Sequence, residues 1–145
     1  MTSDVRTKTA QGLAHRLTLR VYYEDTDFSG RVYHASYLRF MERGRTEWLR
    51  AHGFAQHDMA KDSAITFVVR RLTVNFVKPA LMDDLLTVET RVTRLGGASF
   101  DFLQAILRDE TVLAEATIDV VALKGDRPAR LPQSLRERLA AETTD

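Results

Sequence analysis

The chain has 145 residues, of which 44% are hydrophobic, and it contains no cysteine. A chain of this length can bury a core as a single domain, and the absence of cysteine excludes disulfides, a thiolate nucleophile and Cys-ligated zinc. Lys and Arg (21) nearly balance Asp and Glu (20), so bulk charge gives no reason to expect nucleic-acid binding. Any chemistry must therefore come from oxygen and nitrogen groups.

The two ends of the chain are polar. Residues 1–12 lack the apolar stretch of a secretory signal, and no later segment approaches the ~20 apolar residues that span a bilayer. The sequence therefore predicts a cytoplasmic protein without integral membrane association, whose residues 1–12 form a flexible tail. One domain is expected over residues 13–135, followed by a C-terminal helical tail over residues 136–145, with a short charged helix over residues 134–141.

The first regular elements are a strand and a long helix. Leu17, Leu19 and Val21 alternate with polar residues, which is typical of a half-buried strand. From about Ala35 to His52 the apolar residues recur at helical spacing, which predicts an amphipathic helix with one buried stripe.

The predicted helix carries sequence signals at both ends and in its middle. Ser36 is expected as its N-cap, and Gly53 followed by Phe54 predicts a left-handed stop with a hydrophobic contact. Gly44 lies in the middle of the helix, where glycine costs ~1 kcal/mol relative to alanine. Its presence therefore predicts close packing of the helix against a sheet.

The rest of the chain reads as an antiparallel meander. Segments rich in β-branched and aromatic residues are separated by turn residues at Gly96-Gly97 and at 108–110. The predicted strands are Ile65–Val77, Leu85–Leu95, Ala98–Leu107 and Val112–Leu123. Because one helix cannot cover both faces of such a sheet, the second face is expected to meet another subunit.

Residues 22–37, YYEDTDFSGRVYHASY, carry the strongest functional signal. Asp25 and Asp27 stand between the first strand and the predicted helix, so the strand delivers an acid to a helix N-terminus. The N–H groups at such an end can hold a developing oxyanion while the carboxylate acts as base or nucleophile. The pattern predicts acyl-transfer or hydrolytic chemistry, and no GxSxG, SxxK, P-loop or GxGxxG motif offers another site.

The run YYEDTDFSGRVYHASYLRFMERGRTEWLR closely resembles the signature of the YbgC-type acyl-CoA thioesterases associated with the Tol-Pal system, within the wider 4-hydroxybenzoyl-CoA thioesterase family. The later run FVVRRLTVNFVKPALMDDLL resembles the family's next strand pair, and the likeness covers roughly residues 15–135. The resemblance implies an α+β hotdog fold, in which a curved antiparallel sheet wraps around one long central helix. It also implies a homodimer or homotetramer that hydrolyses acyl-CoA thioesters.

The resemblance implies roles for three residues of the motif. Asp27 would be the catalytic carboxylate, as base or nucleophile, and the backbone N–H near His34 would polarise the thioester carbonyl. The His34 imidazole could bond the thioester, orient a water or cap the helix. Asp25 would be a supporting acid, or equally a turn acid that bonds nearby N–H groups. No metal is required, and coenzyme A is part of the substrate rather than a cofactor.

The resemblance also implies where coenzyme A would bind. Pantetheine would run along Phe67, Val68 and Val69, and the nucleotide would meet the turn at residues 96–98. Gly96, Gly97 and Ala98 form this turn, where the benzoyl-CoA relatives have basic residues, so another subunit could supply the nucleotide contacts. Arg70 is among the cations near strand ends, and Tyr33 is expected as a pocket wall. The acyl group itself cannot be read from the sequence.

Two alternatives to hydrolysis remain open from the sequence. One is a hotdog hydratase or dehydratase, which also acts on acyl thioesters through an acid and a histidine. The other is a non-catalytic acyl-binding or scaffold subunit that works with envelope or lipid-synthesis partners. The spacing D-x-D-x-x-G-x-V-Y-H favours hydrolysis, and thiol release measured beside crotonyl-CoA hydration separates the possibilities.

Overall fold

The computed structural model describes residues 3–9, 12–54 and 64–143, and a single sheet dominates them. Its strands run antiparallel in the order β1–β2–β4–β5–β6–β3, and the short β7 pairs with β6. The elements are β1 (Ser3–Thr9), β2 (Gly12–Arg20), a 3-10 turn (Tyr23–Asp25), α1 (His34–Ala51), β3 (Ile65–Phe76), β4 (Leu85–Leu95), β5 (Ser99–Arg108), β6 (Thr111–Lys124), β7 (Arg127–Pro128) and α2 (Gln133–Glu142). The predicted α+β hotdog arrangement, a curved antiparallel sheet and one long helix, is confirmed.

The inner face of the sheet carries the core, and α1 packs on β2, β4 and β5. Inner-facing residues of β3 pair with buried residues of β6, as Val69 does with Val120, and cross-strand partners share a face. Nevertheless Val69, Leu72 and Phe76 remain 44%, 37% and 42% exposed. The inner face is therefore left open along β3, at the edge of the sheet.

Gly44 brings α1 into close contact with the sheet, as the sequence predicts. A Cβ atom built at this position would lie 2.7 Å from Cγ1 of Val88 and 2.9 Å from Oγ1 of Thr90. Beside it, the Gln104 side-chain amide donates to the carbonyl oxygen of Met41, so a buried hydrogen bond ties the helix backbone to β5. Only a residue without a side chain fits here.

The two ends of α1 differ from each other in how well the sequence predicts them. The C-terminal stop is confirmed, because Gly53 has φ +87° and the N–H groups of Gly53 and Phe54 donate to the carbonyls of Arg50 and Leu49. The N-cap prediction is wrong: the helix starts at His34 with Tyr33 as N-cap. Ser36 lies inside the first turn, where its hydroxyl donates to the Asp25 carbonyl.

The ends of the chain also depart from the prediction. Residues 3–9, expected within a flexible tail, form β1 and pair with β2. The C-terminal helix is confirmed, but it belongs to the domain rather than to a tail, since Leu135 and Leu139 are completely buried in the core. Within the described residues, no helix combines the length and the apolar character needed to cross a bilayer.

Candidate functional site

The Asp27 turn is held in shape by its backbone. Thr26 and Val32 form an antiparallel bridge, and the Asp27 N–H donates to the Arg31 carbonyl at 2.9 Å. Gly30 closes the turn by donating to the Asp27 carbonyl, and its φ of +77° is a left-handed conformation that favours glycine. The turn thus presents the Asp27 side chain to solvent on a fixed backbone.

The Asp27 carboxylate is kept ionised by Ser29. Its Oδ1 atom accepts hydrogen bonds from the Ser29 hydroxyl at 2.6 Å and from the Ser29 N–H at 2.8 Å. These bonds, the hydroxyl first, hold the pKa of Asp27 below its usual value. Among the described residues no hydrogen bond reaches Oδ2, so this oxygen is available for chemistry.

The N-terminus of α1 faces the same space as Asp27. The helix starts at His34 without a side-chain cap, so its first N–H groups lack intrahelical partners. The His34 ring packs on Phe76 at the end of β3, with 4.6 Å between ring centroids. A cavity of ≈460 Å³ lies here, and its lining includes Asp27, Ser29, His34, Tyr37, Phe76, Val77 and Lys78. The structure therefore brings Asp27 and His34 together.

Asp25 holds the turn together and turns away from this cavity. It is 7% exposed, and its carboxylate accepts hydrogen bonds from the Tyr22 N–H at 2.8 Å and from the Arg39 guanidinium at 3.3 Å. Its carbonyl accepts the N–H of Tyr33, the N-cap of α1. These contacts match the turn-acid alternative, in which Asp25 positions the start of the helix.

A second cavity, of ≈630 Å³, lies on the other side of Asp27. Aromatic and apolar side chains dominate its wall, among them Tyr23, Phe28, Tyr33 and Met82. Tyr33, predicted as a pocket wall, lies in this lining, whereas the buried Tyr37 borders the cavity that contains His34. Asp27 therefore stands between a cavity of mixed polarity that contains His34 and a largely apolar one.

The residues predicted to bind pantetheine and nucleotide cluster at the other end of β3. Phe67, Val68 and Val69 line a third cavity, of ≈640 Å³, between β3 and the second half of α1. The turn that carries Gly96, Gly97 and Ala98 lies nearby, because Ser99 and Val68 both pair with Val121 of β6. Along β3, Val68 is roughly 25 Å from Phe76 at the Asp27 cavity. Within one chain, the residues predicted to bind coenzyme A therefore lie far from Asp27 and His34.

The polar groups of this binding region already have partners. Arg70 lies on the outer face, where its Nε donates to Asp119 at 2.9 Å and lowers the pKa of that carboxyl. The Arg136 guanidinium of α2 donates to the carbonyl oxygens of Gly96 and Gly97. Arg70 is therefore bound to Asp119 and points away from the inner-face cavity.

Sequence reasoning missed the role of Ser29 and the placement of Arg45, which lines the third cavity. The first could have been found, since Asp followed two residues later by Ser-Gly is the pattern of a turn in which the acid bonds backbone and hydroxyl. The described residues contain no group of three or more His, Asp or Glu side chains arranged to hold a metal ion.

Known proteins resemble this chain closely. Residues 21–139 match the thioesterase-like superfamily. The chain is 46% identical over 123 residues, 83% of its length and 91% of the relative's, to the acyl-CoA thioester hydrolase YbgC of Escherichia coli O6:H1. It is 42% identical to the acyl-CoA thioesterase YbgC of Haemophilus influenzae, over 81% of this chain and 88% of that one. The crystal structure of a probable thioesterase from Bartonella henselae superposes with a TM-score of 0.80 at 46% identity, covering 82% and 99% of the two chains.

Proposed function

The chain belongs to the thioesterase-like superfamily and to its YbgC-type acyl-CoA thioesterases, and from this premise we propose that Asp27 and the N-terminus of α1 carry out the hydrolysis. The observation that carries the proposal is geometric: the ionised Asp27 carboxylate and His34, the first residue of α1, line one cavity. A thioester needs a base or nucleophile on one side of its carbonyl and hydrogen-bond donors at its oxygen.

The helix end supplies the donors in this mechanism. As the carbonyl carbon is attacked, negative charge moves onto its oxygen, and the free N–H groups of His34 and Ala35 stabilise that charge. The C–S bond then breaks, and coenzyme A leaves as the thiolate, which takes up a proton. The His34 ring, packed on Phe76, forms part of the wall of the cavity.

Asp27 can act as a general base or as a nucleophile. As a base it takes a proton from water while the water oxygen attacks the carbonyl carbon. As a nucleophile its free Oδ2 forms an anhydride with the acyl group, which water then hydrolyses to the acid. The Ser29 hydrogen bonds that lower the pKa of Asp27 keep the carboxylate ionised, which both roles require.

The proposal is tested by the substitution Asp27→Asn, which is nearly isosteric but removes the charge. We expect kcat to fall by roughly 10² or more, in line with the ~10²–10⁴ contributed by acid–base groups. The measurement is thiol release from a panel of acyl-CoA thioesters, with crotonyl-CoA hydration followed in parallel. Activity within a few-fold of the unchanged protein, in a folded variant, would contradict the mechanism.

His34→Ala is the matched control for the oxyanion part of the proposal. The substitution removes the imidazole but leaves the backbone N–H of residue 34 in place, so the loss in kcat should be smaller than for Asp27→Asn. Equal losses in the two variants would mean that the imidazole itself takes part in the reaction.

We further propose that the active site is completed by a second copy of the chain. Among the described residues β3 pairs with β6 alone, so its other edge and the exposed Leu72 are open to pairing. Antiparallel pairing of two β3 strands centred on Leu72 sets Val68 of one protomer opposite Phe76 of its partner. The pantetheine-binding region of one protomer would then adjoin the Asp27 cavity of the other.

Light scattering at micromolar concentration, combined with the activity assay, tests this assembly. We expect a homodimer or homotetramer, because a monomer would expose the apolar inner face along β3. A stable and fully active monomer would contradict both the assembly and the shared site.

In this proposal acyl-CoA is the substrate partner and no separate cofactor takes part. The cytoplasmic location stays a prediction.

A further inference from the structure

The connection between β3 and β4, residues 77–84, holds one edge of the Asp27 turn. Backbone pairings join the two segments: Arg31 pairs with Leu81, the Met82 N–H donates to the Gly30 carbonyl at 3.0 Å, and the Val32 N–H donates to the Ala80 carbonyl at 2.8 Å. The same connection supplies Val77, Lys78 and Pro79 to the wall of the cavity that contains Asp27 and His34. The position of the connection therefore sets the position of the Asp27 turn.

The first half of the connection is tied to β6 and to α1. The N–H groups of Val77 and Lys78 donate to the Leu113 carbonyl of β6, at 2.8 and 3.1 Å. Ala80 is completely buried, and its N–H donates to the Tyr37 hydroxyl of α1 at 2.9 Å. These bonds fix residues 77–80. Residues 81 and 82, which also pair with the Asp27 turn, lie beyond them and depend on the second half of the connection.

An ion pair between Asp84 and Arg108 holds that second half. The Oδ2 atom of Asp84 accepts the Leu81 N–H at 2.8 Å and the Arg108 Nη1 at 2.6 Å. Arg108 is the last residue of β5, at the hairpin that leads to β6, and its Nη1 also donates weakly to the Pro79 carbonyl at 3.4 Å. The side chains of Asp84 and Arg108 are only 18% and 34% exposed, so water screens this charge-assisted bond incompletely.

The ion pair can influence catalysis only indirectly. Within the described part of the chain, the lining of the two cavities at Asp27 includes neither Asp84 nor Arg108. Any effect of the pair on the reaction must therefore pass through residues 80–82 and their pairing with the Asp27 turn. Such an effect can be large, since a misplacement of about 1 Å caused by a distant substitution can cost about 10²-fold in rate.

We propose that Asp84 and Arg108 are positioning residues for Asp27, which act through the backbone pairing of residues 80–82 with the Asp27 turn. Asp84 closes the connection on the Leu81 N–H, and Arg108 anchors it to the end of β5. Without the ion pair, Leu81 and its partner Arg31 are free to move, and the Asp27 carboxylate shifts relative to the N-terminus of α1. The inference rests on the proposed function of Asp27.

Two substitutions break the ion pair from its two sides. Arg108→Met removes the guanidinium at similar length, and Asp84→Asn keeps an oxygen for the Leu81 N–H but removes the charge. In both variants we expect kcat for acyl-CoA hydrolysis to fall about tenfold with KM changed by less than about twofold, because the predicted coenzyme A contacts lie elsewhere. The double variant should lose no more than either single variant, since both break one contact. Arg108→Lys, which keeps the charge, should recover part of the loss.

Hydrogen exchange of backbone amides gives a readout that does not depend on activity. The N–H groups of Val32 and Met82 bond the turn and the connection to each other, so their exchange should be roughly tenfold faster or more in Arg108→Met. Arg16→Met is the matched control, because it breaks the 2.9 Å ion pair of Arg16 with Glu89 in the middle of β2 and β4. It should leave both kcat and the exchange of these two amides unchanged.

The Asp27→Asn background separates this inference from the proposed function. There Arg108→Met should add less than about a twofold loss, because the carboxylate that it positions is gone. A further tenfold loss in that background, or unchanged kcat or unchanged amide exchange in folded Arg108→Met, would overturn the inference alone. Full activity of Asp27→Asn would instead refute the proposed function, and the inference with it. If Arg108→Met does not fold, the nearly isosteric Asp84→Asn provides the same test.

Discussion

The two halves of α1 are built in opposite ways. The first turn starts without a side-chain cap, next to an exposed carboxylate and an open cavity. The second half is pressed onto the sheet at Gly44, buries Trp48 almost completely and ends in a fully hydrogen-bonded stop at Gly53. A catalytic site needs hydrogen-bonding groups that are held in place but have no partner. One rigid helix provides such groups at its first turn when its second half is tightly packed on the sheet.

We expect the largest effect from a substitution that disturbs the packing of α1 on the sheet. In Gly44→Ala the new Cβ would lie within 3 Å of Val88, Thr90 and Gln104. We expect overpacking to cost about 1–3 kcal/mol, and the ~1 kcal/mol that alanine gains in helix propensity offsets part of this cost. The free energy of unfolding should therefore fall by up to about 2 kcal/mol. Thermal unfolding followed by circular dichroism measures the change.

Gly97→Ala is the control for this substitution. A Cβ at position 97 meets nothing within 4 Å, and Gly97 does not have a left-handed φ. Its effect on the melting temperature should be small. A Gly44→Ala variant as stable as the unchanged protein would mean that the sheet relaxes around the methyl group and that the packed half of α1 is not tightly fixed.

A smaller effect is expected from Ser29→Ala, which changes the pKa of Asp27 beside the first turn of α1. The Ser29 hydroxyl is the largest cause of the lowered pKa of Asp27, so its removal should raise this pKa towards the usual value of an aspartate. Activity needs the ionised carboxylate and is lost as pH falls through its pKa. The acidic limb of the kcat/KM profile should therefore move to higher pH in Ser29→Ala.

Thr26→Ala is the matched control, because the Thr26 hydroxyl bonds the Tyr23 carbonyl in the same turn and does not contact Asp27. It should leave the acidic limb where it is. An identical shift in both variants would show that the turn as a whole, rather than the Ser29 hydrogen bond, sets the ionisation of Asp27.

Local patterns predicted the elements well where one periodicity holds throughout. The predicted Leu85–Leu95 strand agrees with β4 at both ends, and the predicted long helix is displaced by one residue. Ser36 was misread because the capping preference of serine is local, whereas its hydroxyl is engaged by the Asp25 carbonyl across the turn. β1 was missed because its pairing with β2 is absent from the pattern of its own residues.

The candidate site was predictable only as far as the chain is contiguous. Asp27 and His34 lie in one short motif, and the structure brings them to one cavity. Arg45 belongs to a run of helix charges that is typical of a solvated face. Its guanidinium donates a hydrogen bond to Gln104, 59 residues away in sequence, and no helical periodicity contains that information. The surroundings of Arg45 are therefore set by contacts between segments that are distant in the sequence, and local patterns do not reveal them.

The Asp27 turn depends on residues that follow it at a distance. Arg31 pairs with Leu81, and the Val32 N–H donates to the Ala80 carbonyl. Helix α1 likewise precedes β4 and β5, two of the three strands on which it packs, and β3 pairs with β6. During synthesis the helix therefore emerges before β4 and β5, which cover part of its apolar stripe. Among the described strands, β3 likewise has no partner in the chain until β6 has been synthesised. The residues proposed for catalysis are synthesised early and take their final positions late.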